Sequence, residues 1–406
     1  MTSVPFSFDA LRRHPDVEAP NLFAADAADR LILHEAADAL EAAALGAATV
    51  AVIGDNYGAL TLGAAGLHHV AALRVHQDAL TGERALAENA RRLGLEHVYA
   101  SHDLDAELLA GARIVLLRLP KSLSALDEIA EAIARFAAPD AVVYAGGMIK
   151  HMTRGMNDVL SRHFGTVLAG LARQKARVLT SAGPDRRRGS TSERLETPRG
   201  DLDASGLETL VPRSSTSAAW PRREFHPDLD LWVCAHGGAF AGTDIDIGTR
   251  FLLGFLDQAA PDADTVIDLG CGTGVLASAL AKARPSIRVL ASDQSAAAVA
   301  SASATAAANG VADSVTVVRD DALSTQPDAS AQLIVLNPPF HLGSSVHAGA
   351  GLKLIEDAAR VLARGGELWT VFNSHLGYQS TLRRVVGSTR QVGRNAKFTV
   401  TVSTKG

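Results

Sequence analysis

The stretch Asn337-Pro338-Pro339-Phe340 limits the possible chemistry more than any other in this chain. It follows the apolar run Leu333-Ile334-Val335-Leu336, which reads as a buried strand, so these residues leave a sheet at its carboxyl edge. Two successive prolines fix φ and carry no amide donors, leaving carbonyls as the backbone groups on offer. The Asn337 side-chain oxygen and the Pro338 carbonyl are then two acceptors that can hold both hydrogens of an amine. A nucleobase amine is a poor nucleophile because its lone pair is delocalised into the ring. Held at both hydrogens, it pyramidalises and aims that lone pair at an electrophilic carbon. Phe340 can stack on the base. The plain alternative is a Pro-Pro turn that only ends a strand, and the distance to the next motif weighs against it.

That motif is VIDLGCGTG, a buried strand closing in a glycine turn that opens a helix. Gly270, Gly272 and Gly274 remove Cβ atoms where the backbone bends and a ligand comes close. At the carboxyl edge of a doubly wound sheet this builds a cofactor pocket. Asp293, 23 residues beyond Gly270, ends IRVLASD and can accept from both ribose hydroxyls. SVTVVRDD brings Asp320 and Asp321 to the same edge; Asp321 can accept from an adenine amine, and Asp320 reads as the turn residue of the pair. These features also suit a dinucleotide dehydrogenase, since a glycine pattern alone is weak. Two details favour S-adenosylmethionine. Val275 stands where the dinucleotide fingerprint places its third glycine, and Asp268 precedes Gly270 by two, placed to meet a methionine ammonium.

The elements that must position these groups recur. VAVIGDNYGALTLGAA (Val50–Ala65) and TVIDLGCGTGVLASAL (Thr265–Leu280) are each an apolar strand, a glycine turn and a helix. Gly54 and Gly270, Gly58 and Gly274, and Gly94 and Gly310 are each 216 positions apart. Further on, DAVVYAGGM matches GGELWTVFN and RQKARVLTS matches GRNAKFTVTVS. The pattern implies a duplicated α/β unit with a parallel-rich sheet in each half. In the first copy Val52 replaces Asp268, Asn56 replaces Gly272 and His76 or Gln77 replaces Asp293, while Leu119-Pro120-Lys121 stands at the amine-binding turn. Lys121 offers only donors, so the first copy is expected to be degenerate. The expected domains are 1–180, a linker or mobile region 181–224 rich in Ser, Gly, Pro and Arg, and a catalytic domain 225–406.

Composition fits that plan. The chain has 406 residues, 47% hydrophobic and 20% charged, which is globular and long enough for two domains. No apolar run approaches a bilayer span, and the beginning lacks a signal-peptide core. Two cysteines, Cys234 and Cys271, are too few for a disulfide framework. A reduced, cytoplasmic protein is expected, without membrane or metal and acting as a monomer. The net charge is −5, yet residues 358–406 hold eight basic residues against Glu367 alone, about +7. Such a basic end can meet phosphates, and Arg383, Arg384 and Lys397 are its candidate RNA contacts. Arg186-Arg187-Arg188 is nearly balanced by nearby acids and reads as solvated.

NPPFH, preceded by GGAFAGTDIDIGTRFLL and followed by GGELWTVFNSHLGY, resembles the bacterial rRNA guanine-N2-methyltransferases of the RsmC/RlmG type. The likeness spans essentially the whole chain, since those proteins also carry an N-terminal methyltransferase-like domain that has lost catalysis. It implies two tandem Rossmann-like Class I methyltransferase domains, S-adenosylmethionine as donor, and guanosine N2 in ribosomal RNA or a ribosomal subunit as acceptor. The catalytic residues would be Asn337, Pro338 and Phe340. NPP followed by an aromatic is shared with adenine-N6 and protein-glutamine methyltransferases, which stay open, as does a non-catalytic RNA-binding assembly factor. His341, His347 and His375 read as packing or turn residues before bases, Asp246 as a helix N-cap or pocket closure, and Cys271 as a small turn residue.

Overall fold

The computed structural model describes residues 6–185, 220–338 and 345–406. The first half forms strands β1 (Thr49–Ile53), β2 (Leu73–His76), β3 (Tyr99–Ser101), β4 (Ala112–Arg118), β5 (Val142–Met148), β6 (Phe164–Ala169) and β7 (Ala176–Pro184). A hairpin follows, β8 (Arg222–His226) and β9 (Leu231–Ala235). The second half supplies β10 (Thr265–Leu269), β11 (Arg288–Asp293), β12 (Val315–Arg319), β13 (Ala331–Leu336), β14 (Leu362–Asn373), β15 (Gly387–Arg394) and β16 (Phe398–Lys405). The sheets run β3-β2-β1-β4-β5-β7-β6 and β12-β11-β10-β13-β14-β16-β15, the same order twice. In each, five parallel strands are followed by an antiparallel strand inserted beside the fifth. This is the Class I methyltransferase sheet, in tandem, as the sequence repeat implied. The segment 186–219, with Arg186-Arg187-Arg188 and most of the expected linker, lies outside the described residues; β7 runs to Pro184 and β8 starts at Arg222.

Why these residues make these elements is plain at the centre of each sheet. β4 and β13 are covered by helices on both faces, so they read as near-continuous apolar runs and bury four consecutive residues each. The helices that open after β1 and β10, Ala59–His68 and Val275–Ala283, both begin at a glycine in the left-handed region, Gly58 (φ 95°) and Gly274 (φ 74°). A Cβ on Gly274 would lie 2.8 Å from the Ala302 Cβ and 2.9 Å from its Cα, so the turn needs glycine for space as well as for φ. Strand β9 is completed by side chains. On the helix Ala296–Ala308 and its cap, Ser301, Thr305 and Asn309 stand four apart and accept from the backbone N–H groups of His236, Cys234 and Trp232 at 2.9 Å.

The two halves meet across a pseudo-two-fold axis. Ala79 and Ser295, 216 positions apart, form an antiparallel bridge. Leu80 N–H donates to Gln294 O at 3.0 Å and Ala296 N–H to Asp78 O at 2.9 Å, and the duplication offset exchanges these two bonds. The side chains reciprocate. Asp78 Oδ1 accepts from Ala297 N–H at 2.9 Å, and Gln294 Oε1 accepts from Thr81 Oγ1 at 2.9 Å. Arg319 reinforces the junction by donating to Glu83 and to the Gln77 carbonyl, each at 2.8 Å. At the far side, Glu128 accepts from Gly237 N–H at 2.7 Å and pairs with His236 at 2.5 Å.

Candidate functional site

A cavity of about 570 Å³ opens at the carboxyl edge of β10, β11 and β13, a volume typical of small-molecule sites. Gly270, Gly272, Asp293, Asp321, Asn337 and Pro338 all line it, so residues up to 68 positions apart converge on one space. The first half contributes a wall as well, through Pro15–Val17 and through Asp78, Ala79 and Thr81. Among the described residues no helix is long and apolar enough to cross a membrane, and no metal-binding cluster occurs.

The cofactor-side residues hold the glycine turn in shape. Gly270 (φ 69°) and Gly272 (φ 53°) are left-handed, and a Cβ on either would meet nothing within 4 Å, projecting into open space. Asp293 receives Gly272 N–H on Oδ2 and Ser295 N–H on Oδ1, both at 3.0 Å. Burial pushes its carboxyl above the usual range despite these bonds. Asp268 lies beneath the turn rather than among the lining residues, 1% exposed. Its Oδ2 accepts from Ala277 N–H at 3.0 Å and its Oδ1 has no partner among the described residues. Burial, with the nearby Asp293 charge adding to it, raises Asp268 to about 7. An orphaned acid under an uncovered glycine turn fits a cationic, nucleoside-bearing cofactor.

Asp321 faces the cavity, paired with Lys353 and with Arg84 of the first half at 3.7 Å. Asp320 also lines the cavity, but its carboxylate is taken up locally, accepting from Ser324 Oγ at 2.5 Å and from Thr325 N–H at 2.9 Å. Burial acts to raise it, but these bonds outweigh burial and hold it below the usual carboxylate range. Cys271 is buried, which pushes its thiol well up, and an ionised sulfur nucleophile has no support there.

Asn337 leaves β13 at the substrate side. Its Nδ2 donates to Asp246 Oδ2 and to Thr249 Oγ1, both at 2.9 Å. Asp246 is also the N-cap of the helix Ile247–Leu253, accepting from Gly248 N–H at 2.8 Å and Thr249 N–H at 3.2 Å. It therefore takes both roles considered for it, cap and cavity wall. Phe340 and His341 lie outside the described residues. His375 is exposed and is not among the residues that line the cavity, although Asn373, two positions before it, is. Lys397 is exposed beside Phe398, which lines the cavity, whereas Arg383 and Arg384 end the helix Tyr378–Val385, toward the opposite edge of the sheet. The structure thus separates the three basic candidates.

Sequence reasoning missed Thr249, Lys353 and Asp78. Thr249 stands three residues after an N-cap aspartate, a spacing that signals a helix start but not what else the cap holds. Asp78 had a usable signal, because the repeat aligns it with Gln294, the residue after Asp293.

The first copy shows the same frame with other contents. Val52 pairs with Leu116 and Asp268 with Val335, so Arg118 occupies the position of Asn337. It pairs with Asp26 at 2.5 Å and Asp29 at 3.4 Å, and Asp26 is again a helix N-cap. Beside it remains a cavity of only about 160 Å³, below the range for nucleoside-sized ligands.

Residues 1–185 match the family described as RLMG N-terminal domain, and residues 230–402 match the Methyltransferase small domain. The ribosomal RNA large subunit methyltransferase G of Streptomyces avermitilis is 32% identical over 410 residues, covering 98% of this chain and 97% of that protein. The protein of the same name from Pseudomonas aeruginosa is 33% identical, covering 98% of each. Among solved structures, the T. thermophilus 16S rRNA N2 G1207 methyltransferase (RsmC), in complex with AdoMet and guanosine, shares the fold. Its TM-score is 0.66 at 20% identity, over 96% of this chain and 97% of that one. With relatives matched along almost their entire length, the chain belongs to the ribosomal RNA large subunit methyltransferase G family and is an S-adenosylmethionine-dependent methyltransferase.

Proposed function

We propose that this enzyme methylates the exocyclic N2 amine of a guanosine in ribosomal RNA, that of the large subunit as in the names of its relatives. The reading rests above all on Asn337 sharing one cavity with the glycine turn, Asp293 and Asp321. S-adenosylmethionine, when bound, supplies a methyl group already activated on a sulfonium. Asp293 would hold the ribose hydroxyls and Asp321 the adenine amine, Asp268 beneath the turn would reach the ammonium end through water, and Gly270, Gly272 and Gly274 give the backbone its close approach. Asn337 Oδ1 and the Pro338 carbonyl would take the two hydrogens of the amine, and Phe340 would stack on the base. The chain thus supplies position and oriented acceptors in place of an acid or base, and the proton leaves to water during or after transfer. A base inside a helix cannot reach such a cavity, so it is extruded or presented in a loop. Lys397, exposed next to the cavity-lining Phe398, would meet phosphates, and Arg383 and Arg384, on another part of the surface, would do so only for an RNA that extends that far. The docking of one copy on the other supports a reading of the chain as a monomer, and a ribosomal RNA substrate supports a cytoplasmic one.

The test uses total rRNA and intact ribosomal subunits from cells lacking the protein, labelled from tritiated S-adenosylmethionine, with the modified nucleoside identified after digestion. N2-methylguanosine is expected. Asn337→Ala should keep cofactor affinity and lower kcat about 100-fold, the order set by one transition-state hydrogen bond. Label in N6-methyladenosine or in protein, or a fully active Asn337→Ala enzyme, would overturn the reading.

A further inference from the structure

We infer that Asp246 and Thr249 are positioning residues for the Asn337 amide, Thr249 anchoring it and Asp246 deciding which end faces the substrate, and that they so select an NH₂-bearing acceptor over a carbonyl-bearing one. The inference rests on the amine grip proposed above. The oxygen and nitrogen of an asparagine side chain exchange places by a half-turn of a broad terminal torsion. With oxygen inward the site attracts an amine; with nitrogen inward it attracts a carbonyl, such as the O6 edge of the same base, and rejects the amine. Both Nδ2 hydrogens are taken at 2.9 Å, one by the Asp246 carboxylate and one by the Thr249 hydroxyl. A flipped amide would set its oxygen against a carboxylate oxygen that has no hydrogen to give. The Thr249 hydroxyl can turn and donate to the oxygen of the flipped amide, so the discrimination rests on Asp246, and losing its charge-assisted bond disfavours the flipped state by a factor of about 10 to 100.

The frame is itself fixed. Asp246 Oδ2 is held by the Gly248 and Thr249 N–H groups it caps. Gly248 keeps the space clear, since a Cβ there would lie 3.0 Å from Asp246 Oδ2 and 3.3 Å from Asn337 Oδ1. The first copy gives an independent control within the same chain. There the strand-end residue is Arg118, which has only donors, and the helix positions of Asp246 and Thr249 are held by Asp26 and Asp29. An amide is thus paired with Asp and Thr, and a guanidinium with two acids. The first helical turn follows the chemistry of the strand end, as expected if its task is to hold that group.

Thr249→Val keeps the shape and removes the acceptor. On rRNA and subunits from cells lacking the protein, kcat should fall about tenfold or more, with S-adenosylmethionine affinity within twofold of wild type, and Thr249→Ser should restore turnover. In an Asn337→Ala background the same Val substitution should cost nothing further, because its only route to the reaction has gone; Thr249→Ala carries the same expectations. A fully active Thr249→Val enzyme, or an undiminished Val effect in the Asn337→Ala background, overturns the positioning role. If Asn337→Ala is inactive while Thr249→Val is fully active, the frame fails and the amine grip stands. If Asn337→Ala is itself fully active, the grip fails.

Discussion

Replacing Asp78 by alanine tests whether the first half of the chain serves the cofactor site in the second. The helix Ala296–Ala308 begins beside Asp293, and its first three N–H groups have no partner within the helix. Ala296 N–H donates to the Asp78 carbonyl at 2.9 Å, Ala297 N–H to the Asp78 Oδ1 at 2.9 Å, and Ala298 N–H to Ser295 Oγ at 3.1 Å. Two of the three acceptors thus come from the other half. Asp78 Oδ1 also receives the Ser295 hydroxyl at 2.9 Å. Asp78→Ala removes a cap, worth about 1 kcal/mol, and a second hydrogen bond worth about 1 kcal/mol. The site is exposed, so water replaces part of this, leaving a net loss of about 1–2 kcal/mol. That loss falls on the turn whose Ser295 N–H holds Asp293. S-adenosylmethionine binding by calorimetry should therefore weaken about 3- to 10-fold if half or more of the loss is felt there. Asp78→Asn keeps an acceptor oxygen and should bind near wild-type strength. Wild-type affinity in Asp78→Ala, or an Asp78→Asn protein equally impaired, would refute the cross-domain cap.

Gly274→Ala forces a left-handed φ of 74° on a residue whose Cβ would lie 2.8 Å from Ala302. Backbone strain of about 1–2 kcal/mol and overpacking of about 1–3 kcal/mol should appear as a matching loss in denaturant unfolding. Cofactor affinity should depend on pH. Asp268 is raised to about 7 by burial, so if its ionised form holds the ammonium, affinity rises about tenfold per pH unit up to about 7 and then levels. Asp268→Asn should bind more weakly and flatten the profile. The same raised carboxyls, Asp268 and Asp55, both near 7, act oppositely on the empty protein. Their neutral forms favour the fold at acid pH, and that contribution is lost between about 4, the ordinary carboxylate value, and about 7, so melting temperature followed against pH should decline across that interval and level above it. Lys397→Ala should weaken RNA binding and reduce its salt slope by about one ion, leaving cofactor affinity unchanged.

Much of this architecture was legible because its signals are local. A strand–glycine–helix unit, a strand ending in an acid and a strand ending in NPPF each carry their pattern within about ten residues, and the repeat confirmed the register. What stayed hidden depends on contacts between distant segments. An Asp-x-x-Thr helix start looks like any other cap, and only the placement of the helix Ile247–Leu253 against the end of β13 turns Thr249 into a partner of Asn337. Ser301, Thr305 and Asn309 read as incidental polar residues in an alanine-rich helix, yet they complete a strand 65–77 positions away. Lys353 could not be linked to Asp321 from spacing alone, because it belongs to a different crossover.

The two copies also separate what docking requires from what chemistry requires. Across the pseudo-two-fold axis each copy gives the same backbone bonds, and the side chains of Asp78 and Gln294 accept in parallel fashion. In and beneath the pocket the glycine of the turn is kept, Gly54 against Gly270, while four other positions diverge: Val52 against Asp268, Asn56 against Gly272, Gln77 against Asp293, Arg118 against Asn337. An isologous contact needs both partners, so neither copy could lose its docking loop without undoing the other. A pocket has no such obligation. Once unused it is a void that weakens the surrounding core, and filling it is favoured. Arg118, held between Asp26 and Asp29, occupies that position in the first copy. The first half thus gives the second a wall and a cap, a role that needs none of the pocket residues it has replaced.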